Sequence, residues 1–364
     1  MFVPFLYPLE SVENWIQSRP DAVVPSQSRP LQARFHAPVP IKPPAHTNSP
    51  PRVVRAFTPG GIGNVGPGLD ILGCAVTGPG DAVTASLIEA PGVRIDDPGH
   101  PDLPSDPNRH ASGIAAQAVL RSAHATSIGV ALRVEKGLPL AGGQGGSAAS
   151  ALAGAAATNA LIGSPLSTTG VLYAALVAEE QLAGRHIDNL APALFGGILL
   201  IRSIDPLDFV RIPVPPRLRV VLVQPHMQLR TADARAVLPA SVDRATAFAQ
   251  AVAVATMIAA FYSGDLERLR GAVDDRIAEP ARAPLLPGFI AAKQAALNAG
   301  ALGCSISGGG PSAFALADGD DSAQAVMAAM IEAYRVSGIA ASGRVAQIDE
   351  RGTRVEDSFS VSHT

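Results

Sequence analysis

The stretch Gly137 to Ala157, GLPLAGGQGGSAASALAGAAA, constrains this chain more than any other. Gly142, Gly143, Gly145 and Gly146 make a turn, and the alanine-rich run after them reads as a helix starting near Ser147. The segment Ile128 to Glu135 leads in with the apolar character of a strand. A glycine turn feeding a helix start leaves backbone N–H groups free, lets them converge, and sets the positive end of the helix dipole beside them, so its natural guest is an anion such as a nucleotide phosphate. No Gly-Lys-Ser/Thr follows, so this is not a Walker loop. On glycine content alone the stretch reads equally well as a flexible turn before a buried helix.

The chain has 364 residues, enough for two domains and a large core. A net charge of −3 gives no sign of a nucleic-acid partner. Cys74 and Cys304 have neither metal-site nor disulfide spacing and read as small core residues in a reducing compartment such as the cytoplasm. The longest apolar run, Ala247 to Tyr262, contains Gln250 and is shorter than the roughly 18–20 apolar residues of a membrane span. It reads as a buried core helix, with no membrane partner. Residues 1–51 are crowded with Pro, Ser and Gln, lack the pattern of a secretory signal, and read as a disordered extension.

Along the rest of the chain, strand-like and helical patterns mix without an internal repeat, which predicts an α+β fold. A first domain is expected over 52–210 and a second over 217–348, with a Pro-rich linker near Asp205 to Arg217 between them and a polar tail over 349–364. Thr58 to Val76 reads as a turn-rich loop that holds Asn64 and Asp70. A helix over Thr169 to Ala183 carries Glu179 and Glu180, and His186, Asp188 and Asn189 cluster just after it. A buried carboxylate near a phosphate site suits Mg²⁺, although adjacent glutamates on a helix more often mark a solvated face. Arg230, Arg235, Arg276 and Arg282, taken singly, read as surface charges.

Three glycine-rich segments stand in order: GNVGPGLDILG from Gly63, LPLAGGQGGSAAS from Leu138, and CSISGGGPSAFAL from Cys304. Together they resemble the signature motifs of the GHMP kinases, the family of galacto-, homoserine, mevalonate and phosphomevalonate kinases. The stretch from Glu179 to Ile201, with His186-Ile187-Asp188-Asn189, and the segments TADARAVLP and EPARAPLLPGF look most like its homoserine kinase branch. The resemblance covers residues 52–348. It implies a ribosomal-protein-S5-like N-terminal domain and a ferredoxin-like C-terminal domain, with ATP, Mg²⁺ and L-homoserine in the cleft between them, and a homodimer.

Carried over by position, the resemblance puts the ATP phosphates against Pro139, Gly142, Gly143, Gln144, Gly145, Gly146, Ser147 and Ala148. It makes Ser147 and Glu179 the Mg²⁺ pair, and places Asn64, Asp70, His186, Asn189, Arg235 and Arg282 around the amino acid. Gly308, Gly309, Gly310 and Ser312 complete the cleft from the second domain. Asn189 matches the position where mevalonate-type relatives carry a catalytic Asp, so catalysis is expected without a dedicated base, Asp188 being the alternative. The usual Gly-Leu-Gly-Ser-Ser is here Gly143-Gln144-Gly145-Gly146-Ser147, which loses one hydroxyl at Gly146. Two other readings follow from that departure and from the family's breadth: a GHMP kinase for another small hydroxylated substrate, and a catalytically weak nucleotide-binding regulator.

Overall fold

The computed structural model describes residues 53–356. The extension read over 1–51 lies outside the described residues. Two sheets organise the described residues. The first holds β1 (Val53–Gly63), β2 (Leu72–Ile88), β3 (Gly92–Asp97), β4 (Gly129–Lys136), β5 (Ile198–Ser203), β6 (Asp208–Ile212) and β11 (Arg354–Glu356). Its main order is β11-β1-β2-β4-β3, with β5 pairing β2 and β6; only β3 and β4 run parallel. The second sheet holds β7 (Leu218–Pro225), β8 (Gly303–Ile306), β9 (Ala313–Asp318) and β10 (Ala341–Ala346), all antiparallel in the order β10-β7-β9-β8. That order is the split βαβ arrangement of ferredoxin-like folds.

Helices cover one face of each sheet. On the first lie α1 (Ala111–Ser122), α2 (Gly146–Leu161), α3 (Thr168–Leu182) and the short α4 (Leu190–Phe195). Helix α2 is alanine-rich and buried on nearly every side, as its sequence predicts. The second sheet is followed or covered by α5 (Thr231–Ala236), α6 (Arg244–Ser263), α7 (Ala278–Arg282), α8 (Phe289–Asn298) and α9 (Asp320–Val336). A third core joins the sheets: Ile62, Leu72 and Cys74 from the first pack with Leu218, Val220, Leu222 and Phe314 from the second.

Three segments of the first sheet depart from the sequence reading. Thr58 to Gly63, read as loop, continues β1, and Leu72 to Val76 already belongs to β2, so the true turn is only residues 64–71. Pro59, Gly60 and Gly61 have turn composition, but they sit at a register shift in the β1–β2 pairing, where a bulge accommodates them. The stretch read as a linker contains β6, which pairs with β5. The stretch read as the start of a polar tail returns to the first sheet: Arg354–Glu356 pairs with β1, and Asp349 and Thr353 are buried.

Helix α6, read as a buried core helix, is buried along one stripe only: Gln250, Ala253, Met257, Ala260 and Phe261. Phe248 and Val252 are each 65% exposed and Tyr262 57%. An apolar run without a polar face gives no sequence signal of which side packs. At 20 residues α6 is also long and apolar enough to cross a membrane by length and composition, contrary to the sequence estimate. Its buried stripe joins the core between the sheets. Gln250 is part of the fold: its amide donates to the Pro67 carbonyl (2.8 Å) and to Asp275 (3.0 Å).

Candidate active site

The glycine stretch lies between β4 and α2 and is held from outside by its carbonyls. The Ala141 oxygen accepts from the Leu229 N–H (3.4 Å), Gly142 from Ser312 N–H (3.3 Å), and Gln144 from Gly61 N–H (3.1 Å). The Gly143 oxygen accepts from the Ser307 hydroxyl (2.7 Å). In a planar trans peptide each C=O opposes the next N–H, so four carbonyls bonded outward turn the following N–H groups the other way. Gly143 and Gly145 have φ of 75° and 72°, and a Cβ on Gly143 would lie 2.5 Å from the Ser307 oxygen, so glycine is required there. Gly145 caps α2 without a side chain. The N–H groups of Gly146, Ser147 and Ala148 therefore start the helix with no intrahelical acceptor.

These residues border a cavity of about 340 Å³. Pro139, Gly142, Gly143, Gly145, Gly146, Ser147 and Ala148 line one side. Glu179, His186, Asp188 and Asn189 line another, with Asn64, Arg235, Arg282, Gly308 and Gly309 closing it. Most of the residues named from the sequence thus meet in one place. Asp70, Gln144, Gly310 and Ser312 do not line it. Asp70 reaches the cavity through Arg235, and the Gln144 side chain turns toward the second sheet, where its amide meets Gln224 and Ser312.

The polar wall is short of partners. Glu179 Oε2, both His186 nitrogens, both Asp188 oxygens, Asn189 Oδ1 and Arg235 Nε are buried without a hydrogen bond among the described residues. His186 Nδ1 lies 3.3 Å from Asp188 Oδ1 and 3.7 Å from Glu179 Oε1. Each unsatisfied buried polar atom costs about 1–3 kcal/mol, so this cluster is arranged for a ligand and not for stability. Burial pushes the Glu179 carboxyl up to about 7, against the pull of His186, Arg235 and the Ser147 hydroxyl beside it. For His186 burial works against protonation, but Asp188 and Glu179 outweigh it and raise its pKa.

The two arginines differ from their surface reading and from one another. Arg235 forks onto Asp70 with contacts of 2.6 and 3.3 Å, while Asn64 Oδ1 accepts the Asp70 N–H (2.7 Å). Arg282 is buried and donates to the carbonyls of Ala234 (3.0 Å) and Gly308 (3.0 Å), so it also fixes α5 and the third glycine loop. Arg230 and Arg276 stay exposed, as read.

Sequence reasoning missed Lys136. Its ammonium pairs with the fully buried Asp81 and donates to the Gly146 carbonyl (3.2 Å) and Ser150 hydroxyl (3.0 Å), bracing the turn, and the residue itself lines the cavity. Its scarcity was the available signal: it is one of three lysines in the chain and stands next to the glycine stretch.

A cradle of inward N–H groups joined to a buried carboxylate cluster, set between an S5-like sheet and a ferredoxin-like sheet, defines a GHMP kinase. The family models for the GHMP kinases N terminal domain and the GHMP kinases C terminal match residues 110–197 and 257–336. A homoserine kinase of Chlorobium phaeobacteroides is 41% identical over 297 residues, covering 78% of this chain and 92% of the relative. One from Arabidopsis thaliana is 40% identical over 318 residues, covering 84% and 85%. The crystal structure of homoserine kinase from Cytophaga hutchinsonii superposes with a TM-score of 0.81 at 37% identity, covering 86% of this chain and all of that one. The chain belongs to the homoserine kinase family. It is a kinase, with ATP as co-substrate.

Proposed function

We propose that the protein transfers the γ-phosphoryl group of ATP to the side-chain hydroxyl of L-homoserine, giving O-phospho-L-homoserine on the route to threonine. The observation that carries this reading is the single cavity in which the N–H cradle of residues 142–148 faces the unpartnered cluster of Glu179, His186, Asp188 and Asn189. The cradle takes the ATP phosphates. Homoserine is a zwitterion, and the Asp70–Arg235 pair at the cavity holds the two charges it needs: its ammonium replaces Arg235 on Asp70, and its carboxylate replaces Asp70 on Arg235. Arg282, Asn64 and His186 complete the amino-acid side, with Gly308 held beside Arg282 and Gly309 next to it.

The unpartnered Glu179 Oε2 and the neighbouring Ser147 hydroxyl form an oxygen donor set that fits Mg²⁺. When bound, Mg²⁺ neutralises charge on the transferring phosphates. Asn189 orients the acceptor hydroxyl toward the phosphate. A loose transition state needs position and charge neutralisation more than proton abstraction, so no side chain serves as a dedicated base. The lost hydroxyl at Gly146 does not dismantle the cradle, since its N–H groups and the Lys136 brace remain, and this favours a kinase over a weak regulator. The reading carries with it a cytoplasmic homodimer, tested for the dimer by sedimentation of the purified chain.

The test of the function is ADP formation from MgATP with L-homoserine, beside L-serine, L-threonine, shikimate and mevalonate. Turnover with homoserine above all others is expected. Preference for another acceptor, or nucleotide binding without turnover on any, would overturn it.

A further inference from the structure

Gln144 stands where the family resemblance calls for leucine, and its side chain leaves the cavity. The residue is 7% exposed and its amide is fully engaged. Its nitrogen donates to Gln224 Oε1 (2.9 Å) and to the Ser312 hydroxyl (3.2 Å), and its oxygen accepts from Arg344 Nη2 (3.2 Å). Arg344 Nη1 donates in turn to the Thr77 carbonyl (2.7 Å). Gln224 lies on β7 and Arg344 on β10, where the register pairs Gln224 with Ser342 and Leu222 with Arg344. The two side chains are therefore diagonal neighbours on one face of the second sheet.

Arg344 is a half-buried cation, and its partial loss of solvent pulls its pKa down to about 10. It forms no ion pair with a carboxylate among the described residues; its guanidinium is held by a carbonyl and an amide. A partly desolvated charge left with neutral partners carries a cost, and an anion nearby would relieve it. The phosphate cradle is what Gln144 connects it to. A leucine at 144 would leave the guanidinium and the Gln224 amide without these bonds, so Gln144 and Arg344 belong together in this chain.

We propose that Gln144 and Arg344 are positioning residues for the nucleotide phosphates: Arg344 is a positive charge held behind the cradle, and Gln144 fastens the cradle to it and to the second sheet. This rests on the reading of the cavity as a nucleotide site. The effect must grow with phosphate charge, which a merely structural role would not produce.

The experiment is calorimetric titration of ATP, ADP and AMP into the full chain and into its Arg344→Met, Arg344→Lys and Gln144→Leu variants, at one salt concentration. Arg344→Met is expected to weaken ATP about tenfold, the size of losing one partly screened charge that acts on the phosphates without touching them, with a smaller loss for ADP and the least for AMP. Gln144→Leu should follow the same gradient, and Arg344→Lys should retain most of the affinity. The KM for homoserine should stay within about twofold, because the pair lies behind the phosphate side. Equal losses for the three nucleotides, or no loss, would overturn the proposal. If Arg344→Met does not fold, the gradient in Gln144→Leu against Arg344→Lys decides it. Failure of the unaltered chain to bind any nucleotide would instead remove the nucleotide reading itself.

Discussion

Glu179→Gln should make the protein more stable and less active. The folded state raises the Glu179 carboxyl from 4.5 to about 7, chiefly through burial. The folded chain therefore keeps this proton up to about pH 7, whereas the unfolded chain releases it near 4.5. Between those values the folded state binds more protons, so stability falls as pH rises through the window and the loss is complete above it. A shift of that size corresponds to about 3 kcal/mol at pH 8. Glutamine cannot ionise and escapes this cost, so the variant should gain up to about 3 kcal/mol at pH 8, less whatever its amide loses in fit. At pH 5 the wild-type carboxyl is neutral in the fold and the difference should shrink below about 1 kcal/mol. Denaturant unfolding of both proteins at pH 5 and pH 8, without nucleotide or metal, measures it. The same substitution should lower kcat by more than about tenfold, an expectation for a Mg²⁺ ligand in charge-driven transfer, with little change in homoserine KM. A stability difference that does not depend on pH, or a variant less stable than wild type at pH 8, would refute the reasoning.

Other perturbations bear on other parts of the site. Arg235→Ala should raise homoserine KM by about tenfold or more while leaving ATP binding near its wild-type value; steady-state kinetics and ATP titration check both. Asp188→Asn should cost less than about tenfold in kcat if no dedicated base operates, and a loss above about a thousandfold would install Asp188 as the base. Lys136→Met leaves Asp81 buried without its cation and should destabilise the fold by about 3–5 kcal/mol, read from denaturant unfolding.

The parts of the site that could be read from the sequence were those written in contiguous residues. The cradle is legible because glycines that permit positive φ sit directly before alanines that favour a helix. His186, Asp188 and Asn189 are legible because one turn carries them all. What hid were partnerships across the sheets. Lys136 and Asp81 are 55 positions apart and meet only because the β2–β4 register sets them opposite each other. Gln144 sits in the legible stretch, yet nothing local says that its side chain turns away, since Gln224, Ser312 and Arg344 come from the second sheet and its loop. The exposure of α6 was hidden for another reason: an apolar surface all around the helix does not record which side the rest of the chain covers.

The return of β11 to β1 bears on how the molecule can be cut. Thr353 shares a hydrogen bond with Thr58 (3.0 Å), 295 positions earlier, and the Arg354 guanidinium lies 4.1 Å above the Phe57 ring. The last described strand thus seals an edge laid down by the first, and the backbone passes between the two sheets twice, before β7 and after β10. No single cleavage separates the halves into self-contained pieces. During synthesis β1 keeps a bare edge until Arg354–Glu356 has been made and can pair with it, a state open to pairing with another chain. Trimming back past Arg354 recreates that bare edge permanently, whereas an appendage attached beyond Glu356 leaves the seal in place.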